Sequence, residues 1–385
     1  MKVAIAIDSF KGSLSTFQAG EAAAEGVRKV FPDARITICP LADGGEGTVD
    51  AIIAATGGEM VEVAVHDPIG RLINSSYGII SHTKTAIIEM SAAAGITLID
   101  EKHRNPLNTT TYGVGELILD AISKGCRKFI VGIGGSATND GGVGMLQALG
   151  FEFLDKNGKQ VSCGAKGLKD IVEIKTDNVS KELKECFFWV ACDVKNTLCG
   201  KNGCSAIYGP QKGATPQMIE EMDLWLGNYA KLTKNVLSTA DASIPGTGAA
   251  GGLGYAFLSY LNAKLESGID LVMKETELEK HIQDTDIVVT GEGRLDGQSY
   301  MGKAPIGVAK LAKKYRKHTI AFSGCVTDDA VICNQHGIDA FFPILRHPCS
   351  LQEAMHRDNA YKNLVDTAEQ VFRLIKAVIS NENDG

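Results

Sequence analysis

The glycines of this chain gather where apolar runs end and helical patterns begin. Glycine accounts for 43 of the 385 residues, which is more than a tenth of the chain against about 7% in an average protein. Four segments are especially rich in it: residues 43–47, 132–136, 246–254 and 291–294. A glycine turn between a strand and a helix allows backbone N–H groups to close around an anion. The pattern therefore predicts an α/β protein that binds an anionic ligand.

Apolar runs alternate with helical patterns at both ends of the chain. Residues 2–8 form a continuous apolar run that ends in Asp8, which is typical of a buried parallel strand. Helix and strand patterns follow in turn, and the same rhythm returns towards the C-terminus. We therefore predict a discontinuous parallel α/β domain with a doubly wound sheet, made of residues 1–65 and 285–385.

Three short strand patterns without intervening helices interrupt this alternation. They cover residues 61–65, 76–80 and 85–90, and a turn-like segment with proline and glycine separates the first two. The interruption marks the entry into a second domain. We expect residues 66–284 to form an inserted α/β domain with a mixed sheet.

Charge and hydropathy exclude two classes of partner. The chain has 39 Lys and Arg against 46 Asp and Glu, a net charge of −7, so it does not neutralise a nucleic acid backbone by its overall charge. No apolar run approaches the ~20 residues that cross a bilayer, and no signal peptide is visible. The ten cysteines include no C-x-x-C pair. These features predict a cytoplasmic protein with neither a nucleic acid nor a membrane partner.

Two polar segments follow the first two predicted strands. Asp8, Ser9 and Lys11 combine a carboxylate, a hydroxyl and an ammonium at a strand end, where open parallel sheets bind ligands, and this mixture suits an anionic substrate. Asp43 and Glu46 flank two glycines and are candidate ligands of Mg²⁺, which takes few protein carboxylates. The alternative for each segment is a structural role as a capped loop or a turn.

A third segment follows a predicted strand and opens a helix. Its candidate contacts to a phosphate or substrate are Gly134, Gly135, Ser136, Thr138 and Asn139. Backbone donors, hydroxyls and the carboxylate of Asp140 stand together here. The segment lacks the lysine of a P-loop and the acid that a dinucleotide fold places on ribose, so a simple chain turn is its alternative.

A fourth segment joins acids and bases after a predicted strand over residues 285–290. Its candidate residues are Glu292, Gly293, Arg294, Asp296 and Lys303. Cations that neutralise transferring charge and carboxylates that orient a hydroxyl are what phosphoryl transfer requires. Local ion pairing on a surface loop is the alternative. Asp193 ends another predicted strand beside a lysine and an asparagine, in a weaker version of the same arrangement.

Five motifs in chain order resemble the type I bacterial glycerate kinases. They are AIDSFKGSLS, PLADGGEGT, IGGSATNDGGVG, CDVKN and TGEGRLDGQS, and the resemblance extends from residue 3 to about 375. It implies a flavodoxin-like domain paired with a restriction-enzyme-like domain. It also implies phosphorylation of D-glycerate with ATP, usually to 2-phosphoglycerate, although 3-phosphoglycerate is possible.

For such an enzyme we expect in-line transfer of the γ-phosphoryl group of ATP to a glycerate hydroxyl, in a cleft between the domains, with Mg²⁺ on the phosphates. Asp193 or Asp296 would accept the hydroxyl proton. Three catalytic or binding cations would hold the substrate carboxylate or the phosphates: Lys11, Arg294 and Lys303.

Two other classes stay open. Glycine loops after strands also suit a nucleotide-dependent oxidoreductase of a small hydroxy acid, although no complete G-x-G-x-x-G with its downstream acid is present. A non-enzymatic small-molecule sensor would bind glycerate without releasing ADP. The sequence leaves open which domain binds adenine, and whether the protein is a monomer or a homodimer.

Overall fold

The computed structural model describes residues 1–383, in which thirteen strands are present. They are β1 (Lys2–Ile7), β2 (Arg35–Ile38), β3 (Glu59–His66), β4 (Leu72–Ile80), β5 (Thr85–Glu89), β6 (Lys128–Gly132), β7 (Glu152–Leu154), β8 (Glu173–Lys175), β9 (Phe187–Ala191), β10 (Lys264–Glu266), β11 (Ile287–Leu295), β12 (His318–Val326) and β13 (Ala340–Pro343). The apolar patterns of the sequence predict strands over residues 128–132 and 340–343, and β6 and β13 have these bounds. β11 extends beyond its predicted end at residue 290, because its pairing with β12 continues to Leu295.

Sixteen α-helices lie in the same part of the chain. They are α1 (Thr16–Val30), α2 (Thr48–Thr56), α3 (Ser91–Ala94), α4 (Tyr112–Ser123), α5 (Val143–Ala148), α6 (Ala165–Leu168), α7 (Lys181–Lys184), α8 (Cys204–Tyr208), α9 (Pro216–Val236), α10 (Leu253–Tyr260), α11 (Gly268–Glu275), α12 (Leu278–Gln283), α13 (Ala304–Lys314), α14 (Ile332–Gln335), α15 (Leu351–Met355) and α16 (Arg357–Asn383). Among the described residues, no helix has the length and apolar character that a membrane span requires.

The chain divides into two compact units. The first unit consists of Met1–Asp43, Asp50–Thr56 and Ile269–Gly385, and the second of Gly44–Val49 and Gly57–Gly268. The predicted domain boundaries lie at residues 65/66 and 284/285. The difference at the first boundary arises because β3 pairs with β4 along its whole length and so joins the sheet of the second unit.

The first unit is built on a five-stranded parallel sheet with the order β2-β1-β11-β12-β13. This is the strand order of flavodoxin-like folds, so the predicted fold class is confirmed. Side chains of β1 and β12 pack against α1 and α16 on one face. Alternate residues, such as Ala321, face α13 on the other. Ser15 caps α1 in a reciprocal pair with Gln18, which fixes where the chain turns from the β1 loop into the helix.

The second unit is built on a six-stranded mixed sheet with the order β10-β9-β6-β5-β4-β3. β3, β4 and β5 are antiparallel neighbours, whereas β5, β6, β9 and β10 run parallel. The three strands without intervening helices therefore form the antiparallel part of this sheet. Phe129 and Phe188 stack in the core beside this sheet with ring centroids 4.7 Å apart, and β7 pairs with β8 in a separate ribbon.

Candidate active site

A cavity of about 460 Å³ lies in the first unit, where the loops after β1 and β2 meet the end of β11. In the strand order of this sheet, β1 and β11 are the neighbours at which the connections change direction, and open α/β sheets bind ligands at that point. Seven charged side chains line the cavity: Asp8, Lys11, Asp43, Glu292, Arg294, Asp296 and Lys303. Ser9 and Gly293 line it as well. We refer to this cavity as the charged pocket.

Two carboxyl groups of the charged pocket are buried. Burial raises the pKa of Asp8 to about 7, and the charges of Asp43 and Glu292 add to the effect, while the backbone N–H of Ser9 donates to Asp8 Oδ1 at 2.7 Å and opposes it. Burial likewise raises the pKa of Glu292, whose Oε1 accepts a 2.6 Å hydrogen bond from the Ser299 hydroxyl. Ionisation of these two carboxyl groups is therefore unfavourable in this pocket, and a bound cation would favour it.

Three cations face these carboxylates. Lys11 Nζ lies 3.4 Å from Asp43 Oδ2. Lys303 Nζ lies 3.6 Å from Glu292 Oε2 and 3.6 Å from Asp296 Oδ1, and Arg294 Nε lies 3.5 Å from Asp296 Oδ2. All four distances exceed the ~2.7–2.9 Å of a tight charge-assisted hydrogen bond. The cations are thus close enough to be oriented by the acids, while their donors stay available to an anionic ligand.

The pKa of Lys11 follows from the same set of charges. Burial alone would lower it, but the neighbouring carboxylates of Asp43 and Asp8 outweigh burial and raise it. The ammonium is therefore charged across the physiological range and suited to hold a carboxylate or a phosphate.

Two glycines, one in β11 and one in β12, allow these strands to approach each other closely. A Cβ on Gly291 would lie 2.0 Å from the carbonyl oxygen of Phe322, and one on Gly324 would lie 2.6 Å from the carbonyl oxygen of Gly293. The hydroxyl of Ser323 donates to the Glu292 carbonyl oxygen at 3.0 Å and accepts from Leu295 N–H at 3.0 Å. The glycines thus allow β12 to lie close to β11, and the hydrogen bonds of Ser323 fix the backbone of Glu292 at the pocket wall. The sequence interpretation, which placed residues 292–294 in a loop, is wrong on this point.

The glycine-rich segment after β6 lies in the second unit and divides into two parts. Gly134 and Gly135 are exposed, whereas Ser136, Thr138 and Asn139 are buried. The Asn139 amide donates to Ser205 Oγ at 2.8 Å. The side chains that the sequence offers as phosphate contacts beyond Gly135 are thus turned largely into the protein, because distant parts of the chain supply partners there.

A buried lysine that the sequence analysis did not identify holds this segment. Lys212 Nζ donates to Ser136 Oγ at 2.7 Å and to the Thr138 carbonyl oxygen at 2.5 Å. Burial lowers the pKa of Lys212 to about 8. The only signal in the sequence is a lysine in a short Gly-Pro turn, and a turn lysine is ordinarily exposed.

Asp140 completes the interior network of the second unit. It accepts hydrogen bonds from Thr111 N–H at 2.8 Å, from the Thr111 hydroxyl at 2.9 Å and from the N–H groups of Gly142 and Gly144. Burial raises the pKa of Asp140, and these donors oppose the rise. Each oxygen of this carboxylate therefore has a partner within the protein.

The remaining candidates, Glu46 and Asp193, are exposed and belong to the second unit. Asp193 Oδ1 accepts a 3.1 Å hydrogen bond from the N–H of Gly268, the first residue of α11. The structure therefore brings nine candidate residues of the first unit together in the charged pocket, including Asp43, whereas Glu46 and Asp193 belong to the second unit.

Oxygen donors in the charged pocket suit a hard divalent cation. Mg²⁺ prefers carboxylates and keeps several waters or phosphate oxygens in its shell, and Asp43, Asp8 and Glu292 supply such donors beside one another. Within residues 1–383 no group of three or more His, Cys, Asp or Glu side chains is arranged to hold a metal ion by itself. These three carboxyl groups therefore fit a Mg²⁺ ion that also binds the phosphate oxygens of a ligand.

Comparison with known proteins identifies the family. The model of the glycerate kinase family matches residues 3–376. The chain is 48% identical to the glycerate 2-kinase of Escherichia coli (strain K12) over 96% of its own length and 97% of that protein. It is 45% identical to a glycerate kinase of Haemophilus influenzae over 97% of its length and 99% of that protein.

A solved structure agrees with these sequence relatives. A crystal structure of a protein assigned as glycerate kinase 2 from Salmonella typhimurium LT2 superposes with a TM-score of 0.90 at 44% identity, covering 99% of each chain. These findings confirm the resemblance and give no support to an oxidoreductase or a sensor. The chain belongs to the glycerate kinase family and is an enzyme that phosphorylates glycerate.

Proposed function

We propose that the phosphoryl donor is ATP, that the acceptor is D-glycerate and that the product is 2-phosphoglycerate. The observation that carries this proposal is the charged pocket at the switch point of the parallel sheet, where Lys11, Arg294 and Lys303 face four carboxylates. The name of the Escherichia coli relative, glycerate 2-kinase, supports the choice of hydroxyl.

Phosphoryl transfer asks little covalent work of a protein, because positioning and charge neutralisation lower most of the barrier. Lys11 and Lys303 extend into the pocket from different loops and would hold the anionic groups of the two substrates. Arg294 offers a planar fork that binds a carboxylate or a phosphate through two parallel hydrogen bonds.

Asp296 is the stronger candidate for the group that accepts the proton of the attacking hydroxyl. Its side chain lies in the same pocket as the cations and is oriented by Arg294 and Lys303. Asp193 stays the alternative, because its side chain is exposed at the end of β9.

Asp43 would hold Mg²⁺, with Glu46 as a second candidate ligand. When bound with ATP, Mg²⁺ offsets the charge of the β- and γ-phosphates. Gly134 and Gly135 would offer backbone N–H groups to a phosphate, with Ser136 beside them. We assign Thr138 and Asn139 to the support of that segment, because both are fully buried.

An assay that distinguishes the two possible products tests the proposal. Enolase converts 2-phosphoglycerate directly into phosphoenolpyruvate, whereas 3-phosphoglycerate first requires phosphoglycerate mutase. We expect the purified protein with ATP, Mg²⁺ and D-glycerate to form phosphoenolpyruvate with enolase alone. No product without mutase would reject the 2-position, and equal ADP release without glycerate would reject the kinase. A cytoplasmic location and a monomeric or homodimeric state stay predictions from the sequence.

A further inference from the structure

The charged pocket has a second wall of a different chemical character. The chain after β13 contributes six apolar side chains to the same cavity: Ile344, Leu345, Leu351, Ala354, Met355 and Ala360. We call them the apolar wall. Leu351 is 75% exposed, Leu345 39% and Met355 36%. Single exposed apolar side chains are common, but several around one cavity point to a ligand that covers them.

The apolar wall is a built part of the pocket. Ile344 is buried, and its N–H donates to the carbonyl oxygen of Ser323 at 2.8 Å, which ties the wall to β12. Ser350 caps α15 by accepting from the N–H of Glu353. Met355 reaches the loop that carries Lys11, because a Cβ on Gly12 would lie 2.8 Å from Met355 Cε. The apolar and charged walls therefore meet along this loop.

Glycerate does not account for such a wall. Every carbon of this three-carbon acid carries oxygen, so it has no apolar face that leucine and methionine side chains could remove from water. The cavity, at about 460 Å³, is in the ~300–1,000 Å³ range of sites for larger organic ligands. A nucleoside triphosphate has both required parts, since the faces of its aromatic base can pack on apolar side chains and its phosphates are anionic.

We propose that the apolar wall binds the adenine base of ATP, with the triphosphate directed towards Lys11 and Lys303, so that the first unit carries the nucleotide. This inference rests on ATP being the phosphoryl donor. It assigns Leu351 and its neighbours a role in nucleotide affinity, and no role in the chemical step.

The first test compares two leucines of similar exposure in the first unit. Leu351→Ala shortens the apolar wall, whereas Leu374→Ala removes a 63% exposed leucine from α16. We expect Leu351→Ala to raise the KM for ATP about three- to tenfold, because part of the contact with the base is lost. The KM for glycerate and kcat should stay unchanged, and Leu374→Ala should alter none of the three. A rise confined to the KM for glycerate would overturn the inference.

The second test separates the base from the phosphates without using turnover. A fluorescent methylanthraniloyl derivative of ATP is titrated into each protein and displaced with ATP or with inorganic tripolyphosphate, which has no base. Leu351→Ala should raise the dissociation constants of ATP and of the probe, while the dissociation constant of tripolyphosphate, corrected for the affinity of the probe in each protein, should stay unchanged. Equal effects on both competitors, or on neither, would overturn the inference. If the wild type binds the nucleotide with this pattern but does not phosphorylate glycerate, the proposed function fails and the base site stands.

Discussion

The charged segments at the carboxyl ends of β1 and β11 in the first unit and the segment after β6 in the second have similar compositions, but their polar groups have different surroundings. Both follow a parallel strand, and both combine glycines with hydroxyls and charged groups. In the first unit the charged groups line a cavity with long, loose ion pairs. In the second unit Asp140 and Lys212 are buried and held by short hydrogen bonds.

The contrast shows that composition after a strand does not decide whether polar groups serve a ligand or the fold. At the switch point of the first sheet, neighbouring connections leave in opposite directions and open a crevice. After β6, by contrast, residues from α8 and from the turn at Lys212 cover the segment and supply its partners. The two regions should therefore respond differently to the loss of a charge, in activity for one and in stability for the other.

The largest effect is expected at Asp296. Replacing it with Asn keeps the shape but removes the charge, and loss of a general base costs about 10²–10⁴ in turnover. The KM values and the melting temperature should change little, because the lost interaction belongs mainly to the transition state. Asp193→Asn is the matched control and should be nearly normal. If steady-state turnover instead fell in Asp193→Asn and stayed nearly normal in Asp296→Asn, Asp193 would be the proton acceptor.

The corresponding change in the second unit should cost stability. In the wild type the carboxylate of Asp140 accepts hydrogen bonds from backbone N–H groups. Asp140→Asn replaces one carboxylate oxygen with an amide N–H₂, which cannot accept these hydrogen bonds. We expect the free energy of unfolding to fall by about 2–4 kcal/mol in urea titrations. Asp170→Asn, at an exposed position, should change it by less than about 0.5 kcal/mol. Equal midpoints for the two variants would contradict an interior role for Asp140.

A smaller effect is expected when the charged pocket loses one cation. Lys11→Ala removes an ammonium group that we expect to contact an anionic group of a substrate. Loss of this contact should weaken the affinity for that substrate about ten- to a hundredfold. The KM for ATP or glycerate should rise accordingly, while Lys310→Ala, on the exposed side of α13, should change neither. Unchanged KM values for both substrates would show that Lys11 is only a solvated side chain.

The smallest effect concerns the charge state of Lys212. Its pKa lies near 8 in the folded protein, against 10.5 normally, so the unfolded chain binds more protons between these values and stability should rise with pH across that window. Relative to Lys212→Met, the wild type should gain about 1 kcal/mol between about pH 7.5 and pH 9. Taking the difference between the unfolding free energies of the two proteins cancels the contribution of the thiols and tyrosines, which both proteins contain. A constant difference would mean that Lys212 is charged throughout.

Much of the charged pocket could be predicted from the sequence, because parallel strands end at a common edge. Asp8 and Glu292 follow apolar runs that pair side by side, so their neighbours Lys11 and Asp296 arrive in the same place. The α/β fold class could be predicted from the alternation of apolar strand runs with helical patterns. The flavodoxin-like type of the sheet came from the resemblance, since spacing does not reveal which strands are neighbours.

The parts that escaped prediction depend on partners far along the chain. Asn139 turns inward because Ser205 and Met222 meet it there, and no local pattern around Asn139 indicates them. Lys212 is buried for the same reason. The leucines of the apolar wall, such as Leu351, look like ordinary core residues in the sequence, and only the structure shows that they are exposed beside a cavity.

The close approach of β11 and β12 restricts how this enzyme can change. A methyl group at Gly291 would have to force Phe322 and its strand away, and the separation would displace Glu292 together with the sheet. An inactive Gly291→Ala variant would thus report a widened strand pair and say nothing about phosphate binding. We expect new substrate preferences to evolve through the surrounding loops and α15, where side chains can grow or shrink, while the floor of the pocket tolerates no added bulk.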